Sequence, residues 1–374
     1  MNILVVTREI PPIGGGAGSV AWALARGQAA NGHAVHVVTM QYGQLPRGET
    51  CSGVHIHRVP CGRRQADSSY LMEMSRFVWN ARPVVAELMK RVTFDVIHAH
   101  AIIPDGLIAL RAGRSAGLPT VVTSHGSDVP GYNPNNFRLA HRLLRPVWQG
   151  AVAHFQALVT PSHYLKGLIL RRRPGAAVRV LPYGIETDIF GRQPREEAFL
   201  ISSRLIERKK FQVFFQALAG ISRPQTLHVI GEGPMGPELR RLAGLMPWHS
   251  IRFHGWVANR SALWTSLYER CRYFVFPSER ENFPVSLMEA QLAGMVVLAS
   301  DIAGNREVLG EEALYFPHLS AKGIRATLTA LVEGPPDGIL AVGERGRQRI
   351  LDNFAQEKIT LRYEALFREV AGRG

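Results

Sequence analysis

Two glutamates, Glu281 and Glu289, lie in the stretch Pro277-Ser-Glu-Arg-Glu-Asn-Phe-Pro-Val-Ser-Leu-Met-Glu-Ala290. The apolar run Cys271–Phe276 predicts a strand leading in, and Val285–Leu292 predicts a helix leading out. One carboxylate therefore falls in the loop after a strand, and the other about one turn into the next helix. In an open α/β sheet that is the C-terminal edge of the strands, where ligands bind. Upstream, Arg204-Leu-Ile-Glu-Arg-Lys-Lys210 follows another predicted strand and precedes a helix. Basic side chains at such an edge neutralise a pyrophosphate, Arg as a planar fork and Lys as a point charge. A solvated helix start is the plainer alternative for the same residues. Carboxylates for hydroxyls and cations for phosphates together suit one ligand, a nucleotide sugar.

The elements that must carry these residues alternate along the chain. Strands at Asn2–Thr7, His33–Thr39 and Thr120–Ser124 are expected to alternate with helices at Ala17–Asn31, Tyr70–Arg91 and Asp105–Ala116. After a turn-rich, charged linker, Gly191-Arg-Gln-Pro-Arg-Glu-Glu197, the alternation restarts and continues to a strand at Val296–Ser300. Such alternation implies parallel sheets covered on both faces. Two runs of it in 374 residues predict two doubly wound, Rossmann-like domains, 1–190 and 191–354, facing across a cleft. The last segment, 355–370, reads as a helix with Ile359, Tyr363 and Leu366 on one side, expected to pack back on the first domain.

Gly14-Gly15-Gly16-Ala17-Gly18 follows the first strand and opens the first helix, where glycine permits positive φ and close backbone approach. A dinucleotide fingerprint fits poorly, because position 19 is Ser and the second strand ends in Thr39 rather than an acid. Gly231-Glu-Gly-Pro234 and His254-Gly-Trp-Val257 end two further strands; Trp256 or Val257 would pack near a base or in the core. His98 and His100 alternate at a strand end, a spacing more often structural than metal-binding.

Bulk properties narrow the partners. The net charge is +14, with 20 Lys and Arg against 10 Asp and Glu before Gly191, and 24 against 20 from there on. A basic face attracts nucleic acid, anionic lipid or an anionic substrate. The chain carries no zinc-finger, RNA-binding or basic-zipper signature, so nucleic acid is not expected. Arg138, Arg142 and Arg145 recur among Leu139, Leu143, Leu144, Val147 and Trp148, either an interfacial helix or a basic face over a core stripe. The 3 cysteines form no framework and fit a reducing compartment. No signal peptide or membrane span is expected.

In order and spacing, several of these pieces resemble the family 4 glycosyltransferases, a retaining, nucleotide-sugar-dependent group with the GT-B-type fold. They are the glycine loop, Gly32-His33, His125-Gly-Ser-Asp128, Pro182-Tyr-Gly-Ile-Glu186, the Arg204/Lys209 pair, Gly231-Glu-Gly-Pro234, the Glu281 to Glu289 spacing, and Ala299-Ser300 with Gly304 to Glu307. The resemblance implies that Glu289 takes the ribose hydroxyls and that Arg204 and Lys209 clamp the diphosphate. It further implies that Glu281 contacts the donor sugar, with Asn282 and Phe283 lining the same side through the loop backbone. His125 is implied to reach the donor sugar from the first domain, and Gly15 and Gly16 to lie where donor phosphate and acceptor meet. Two departures stand out. Pro284 replaces a common Gly and removes a backbone donor, while Ser203 and Lys210 occupy places where the family often has Gly.

The expected reaction moves a hexose or N-acetylhexosamine, from a UDP-sugar or alternatively a GDP-sugar, to a glycan, polyprenyl-linked or lipid acceptor. No metal or further cofactor is expected. The basic first half suits an anionic or membrane-bound acceptor, with the protein cytoplasmic at the inner face of a membrane, monomeric or homodimeric. A setting in polysaccharide or lipopolysaccharide assembly follows from the family. The alternatives are an inactive sugar-binding scaffold, which would be expected to lose Glu289 or Arg204, and an epimerase or phosphorylase on the same plan.

Overall fold

The computed structural model describes residues 1–66, 68–132, 142–334 and 338–372. The chain divides into two units, Met1–Gly184 joined by Gln356–Gly374, and Ile185–Ala355. Each is a doubly wound α/β unit.

In the first unit the strands are β1 (Asn2–Val6), β2 (Ala34–Met40), β3 (Gly48–Cys51), β4 (Val54–Val59), β5 (Val96–Ala99), β6 (Thr120–Thr123), β7 (Ala157–Thr160) and β8 (Val178–Val180). They lie in the order β3-β4-β2-β1-β5-β6-β7-β8. Every pair is parallel except β3 with β4. Side chains alternate across a strand, so a sheet covered on both faces needs continuous apolar strands. In β1, Leu4 and Val6 join a core with Phe77, Ile97 and Val122. Ile3 and Val5 point into the other, with Leu24, Tyr363 and Phe367. The last two come from the helix Gln356–Val370, which buries Ile359, Tyr363 and Leu366 against this sheet as its spacing predicts.

The second unit has β9 (Glu196–Ser202), β10 (Thr226–Ile230), β11 (Ser250–Gly255), β12 (Cys271–Phe276), β13 (Val296–Ser300) and β14 (Leu314–Phe316). Their order is β11-β10-β9-β12-β13-β14, all parallel. Serine hydroxyls start several helices by accepting an otherwise unpaired backbone N–H. Ser162 accepts from Leu165 at 3.0 Å, Ser261 from Trp264 at 3.3 Å and Ser320 from Gly323 at 3.1 Å.

Both sheets reverse their winding once. In the first, the chain moves outward from β1 to β2 and returns to β5 on the other side; in the second it does the same from β9 to β12. In each sheet the loops after the two strands at the reversal, β1 and β5 in the first and β9 and β12 in the second, diverge and leave a crevice outside their C-terminal ends.

Some elements differ from expectation. Glu196 and Glu197 belong to β9 rather than to a linker. The edge strand β3 was not expected, because all four of its residues are exposed and show no alternation. Beyond Ser300 the structure adds helices Ala303–Leu309, Ala321–Glu333 and Ile339–Asn353 as well as β14. Of the basic-apolar segment, Arg138 and Leu139 lie outside the described residues. Arg142, Leu143, Leu144, Arg145 and Val147 are exposed, whereas Trp148 is buried and donates from Nε1 to the Asp128 carbonyl at 2.9 Å. Among the described residues, no helix is long and apolar enough to cross a membrane.

Candidate active site

The crevice of the second unit takes its residues from the loops after β9 and β12. After β9 the chain runs through exposed Arg204 into a single 3-10 turn, Glu207–Lys209. After β12 it turns through Ser278 to Glu281 before the helix Val285–Leu292 begins. These loops bring Lys209 and Glu281 together: Lys209 Nζ donates to Glu281 Oε1 at 2.8 Å, and both side chains are about a tenth exposed. The ammonium also lies 4.3 Å from the centroid of the Phe276 ring. Burial pushes Lys209 below its ordinary pKa, and the Glu281 carboxylate opposes that shift.

Lys210 points elsewhere. It pairs with Glu207 at 3.0 Å and Glu279 at 3.5 Å. Its φ of +54° is left-handed backbone, a conformation that favours glycine.

Glu281 is held from behind. Ser278 Oγ donates to Glu281 Oε1 at 2.5 Å, and Ser300 Oγ donates to the Ser278 carbonyl. Asn305 Nδ2 donates in turn to the Ser300 carbonyl at 2.9 Å and to its Oγ at 3.1 Å. Gly304 lies so close that a Cβ there would sit 2.3 Å from the Glu281 carbonyl oxygen. Asn282 is buried, and the Phe283 ring turns away to pack edge-on against Phe354 at 5.5 Å.

Glu289 sits on the helix Val285–Leu292, where Tyr268 donates to its Oε2 at 3.3 Å. The Tyr268 ring is fully buried, 4.4 Å from Trp264 and 5.4 Å from Phe190. Burial pushes the Glu289 carboxyl up to about 7, with the Tyr268 hydroxyl and the Arg260 charge pulling it back down. A carboxylate accepts hydroxyl hydrogen bonds better than its acid, so affinity for a ribose-bearing ligand is expected to rise as pH passes upward through about 7. Tyr268→Phe removes a bond that favours the carboxylate, so this rise is expected to move to higher pH. Titrating nucleotide affinity from pH 6 to 8 for both proteins checks it.

His125 belongs to the first unit. Its Nδ1 is 2.8 Å from the Tyr183 hydroxyl and its Nε2 3.2 Å from His100 Nδ1. Burial, followed by Arg8 and His98, pushes the imidazole down to about 3, so it is neutral at pH 7. His98 is bonded to Thr123 Oγ1 at 2.8 Å. Asp128 closes the His125-Gly-Ser-Asp128 turn by accepting from Ile102 N at 2.7 Å, Ser124 Oγ at 2.8 Å and Gly126 N at 3.2 Å. Gly14 has φ +92° and packs on Glu9, whereas a Cβ at Gly15 or Gly16 would meet open space. Among the described residues, no group of three or more His, Cys, Asp or Glu side chains is placed to hold a metal ion.

Ser278, Ser300, Asn305 and Tyr268 went unremarked as site residues in the sequence. Three of them lie inside or beside motif segments, and Tyr268 follows Trp264 at helical spacing, signals that read equally as turn and core.

Residues 14–189 match the family described as Glycosyltransferase Family 4, and residues 196–333 match Glycosyl transferases group 1. The chain belongs to the family 4 glycosyltransferases. Its activity is sugar transfer from a nucleotide-sugar donor. An uncharacterized glycosyltransferase of Methanocaldococcus jannaschii is 27% identical over 337 residues, covering 83% of each chain. The N-acetyl-alpha-D-glucosaminyl L-malate synthase of Bacillus anthracis is 22% identical over 383 residues, 96% of this chain and 95% of that one. Among solved structures, sucrose-phosphate synthase from Thermosynechococcus elongatus superposes with a TM-score of 0.82 at 19% identity over the whole of both chains. HepE of Anabaena, solved in complex with UDP-glucose, does so with a TM-score of 0.75 at 15% identity, over 99% of this chain and 100% of that one. At these identities the structures report the two-unit Rossmann-like fold.

Proposed function

We propose that this glycosyltransferase moves a hexose or N-acetylhexosamine from a UDP-sugar to a glycan, polyprenyl-linked or lipid acceptor, with retention of anomeric configuration. The carrying observation is the Lys209–Glu281 pair at the reversal of the second sheet, with Arg204 in the loop after β9 and Glu289 on the helix after β12. In this reading Glu289 takes the ribose hydroxyls, Arg204 and Lys209 the diphosphate, and Glu281 a donor-sugar hydroxyl. Asn282 and Phe283 contribute backbone. His125, Gly15 and Gly16 are assigned to the donor sugar and phosphates on the family resemblance alone.

Retention proceeds on one face of the sugar. The acceptor oxygen bonds to the anomeric carbon as the bond to the diphosphate breaks, and the departing diphosphate oxygen takes the acceptor's proton. The clamp lowers the barrier because it meets charge that grows as the bond breaks. A double displacement would need a carboxylate nucleophile, and Glu281 has one oxygen committed to Lys209 and Ser278. A UDP donor draws support from HepE, which was solved with UDP-glucose.

A membrane-bound acceptor draws support from the first unit's surface. Leu143, Leu144 and Val147 are exposed beside Arg142 and Arg145. Trp79 is 66% exposed, with the Arg82 guanidinium 4.1 Å from its ring centroid. Apolar anchors flanked by cations suit an anionic lipid surface at the inner face of a membrane.

The test is calorimetric binding of UDP-, GDP- and ADP-sugars to the protein, to Glu289→Ala and to Arg204→Ala, with sedimentation on anionic and neutral vesicles alongside. One donor should bind saturably, with affinity reduced about tenfold or more in each variant, a loss of about 1.4 kcal/mol. Folded protein that binds no donor, with or without vesicles, would sink the reading.

A further inference from the structure

A carboxylate offers two oxygens, and in Glu281 they differ. Oε1 already accepts from Lys209 Nζ at 2.8 Å and from Ser278 Oγ at 2.5 Å, which leaves Oε2 for a ligand. Ser278 is fixed by a second layer, Ser300 and then Asn305, and all three are buried, at 0%, 3% and 0% exposure. Support this deep on one oxygen exceeds what a single hydrogen bond from a sugar hydroxyl to the other oxygen would require. We propose that Glu281 holds Lys209 charged and aimed at the diphosphate, and that Ser278, backed by Ser300 and Asn305, is the positioning residue for that pair.

Physical circumstances favour this division of labour. A buried ammonium keeps its proton only if a partner offsets the lost hydration. The charged groups acting on Lys209 are Glu281, which stabilises the proton, and Arg208 and Arg204, which repel it. The other two acids of the neighbourhood, Glu207 and Glu279, are engaged by Lys210. Phe276 offers a ring face, a weaker attraction than a carboxylate. Without Glu281, Lys209 would be left buried beside two guanidinium groups and would release its proton at a lower pH. Glu281 then matters for a ligand that carries no donor sugar. This rests on the reading of Lys209 as a partner of the diphosphate.

UDP itself separates the possibilities, because it has the diphosphate and lacks the transferred sugar. Its affinity is to be measured by calorimetry at pH 7 and pH 9 for the full chain, Glu281→Gln and Ser278→Ala, with thermal melting of each protein as a check on folding. Glu281→Gln is expected to bind UDP about tenfold more weakly at pH 7, and its deficit relative to the unsubstituted protein should widen severalfold more at pH 9. Ser278→Ala should show a smaller deficit that widens in the same direction. Unchanged UDP affinity in both variants overturns the proposal and leaves Glu281 a sugar contact only. A deficit equal at the two pH values also overturns it, since that is what a general loosening of the loop would give. Should Glu281→Gln fail to fold, Ser278→Ala, which loses one hydroxyl, decides the matter alone. Failure of the unsubstituted protein to bind UDP, GDP or ADP would instead count against the donor site as a whole.

Discussion

Replacing Lys209 with alanine is expected to lower kcat/KM for sugar transfer about a thousandfold, roughly 4 kcal/mol of transition-state stabilisation. The loss should fall mainly on kcat, because a cation on the diphosphate, the role proposed for Lys209, meets the most charge once that group is leaving. The same change leaves Glu281 buried at about a tenth exposure with no cation, and breaking such a pair costs about 3 kcal/mol of folding stability. Activity must therefore be measured below the variant's melting temperature. Lys209→Arg restores the charge with a larger group and should recover part of kcat. A folded Lys209→Ala enzyme retaining a tenth or more of the original kcat would remove Lys209 from the chemistry.

Gly304→Ala is expected to damage both the stability of the second unit and its activity. The new carbon would lie 2.3 Å from the Glu281 carbonyl oxygen and 2.8 Å from that of Asn282. Both are backbone atoms, so no rotamer change relieves the contact and the loop itself must move. Overpacking of this kind costs about 1–3 kcal/mol. Displacing the Glu281 loop by a fraction of an ångström pulls at the Ser278 and Lys209 bonds together; misplacement by about 1 Å lowers rates about a hundredfold, so a severalfold loss of kcat/KM is expected here. A denaturation midpoint and a kcat/KM measurement read the two effects separately. Wild-type values in both would mean that the loop is softer than its packing indicates.

Much of this arrangement was legible before the structure. Cys271–Phe276 and Val285–Leu292 have the bounds that their apolar runs predict, because a strand buried on both faces leaves an unmistakable mark. The positions of Arg204, Lys209 and Glu281 in loops after strands, and of Glu289 on the helix that follows, accord with that alternation. Their partners do not follow from it. Lys209 meets Glu281 only because β9 and β12 are neighbours, a matter of sheet order that no local pattern encodes. Ser278, Ser300 and Asn305 bond through carbonyls and hydroxyls across three segments, and in the sequence each is an ordinary turn residue. Nor does sequence spacing say which of the two adjacent lysines turns inward. The backbone shows Lys210 in the left-handed region with its side chain turned to Glu207 and Glu279, while Lys209 lies inward against Glu281.

The helix Gln356–Val370 has a consequence for the order in which the protein can assemble. It closes one face of the first sheet with Ile359, Tyr363, Leu366 and Phe367, yet it follows the whole second unit in the chain. Polypeptides emerge from the ribosome amino end first, and domains fold as units as they emerge. Residues 1–184 come out with Val35, Val121 and Val159 still awaiting that cover. The second unit is one continuous segment and has every residue it needs by Ala355. The unit synthesised first is therefore the last to be completed.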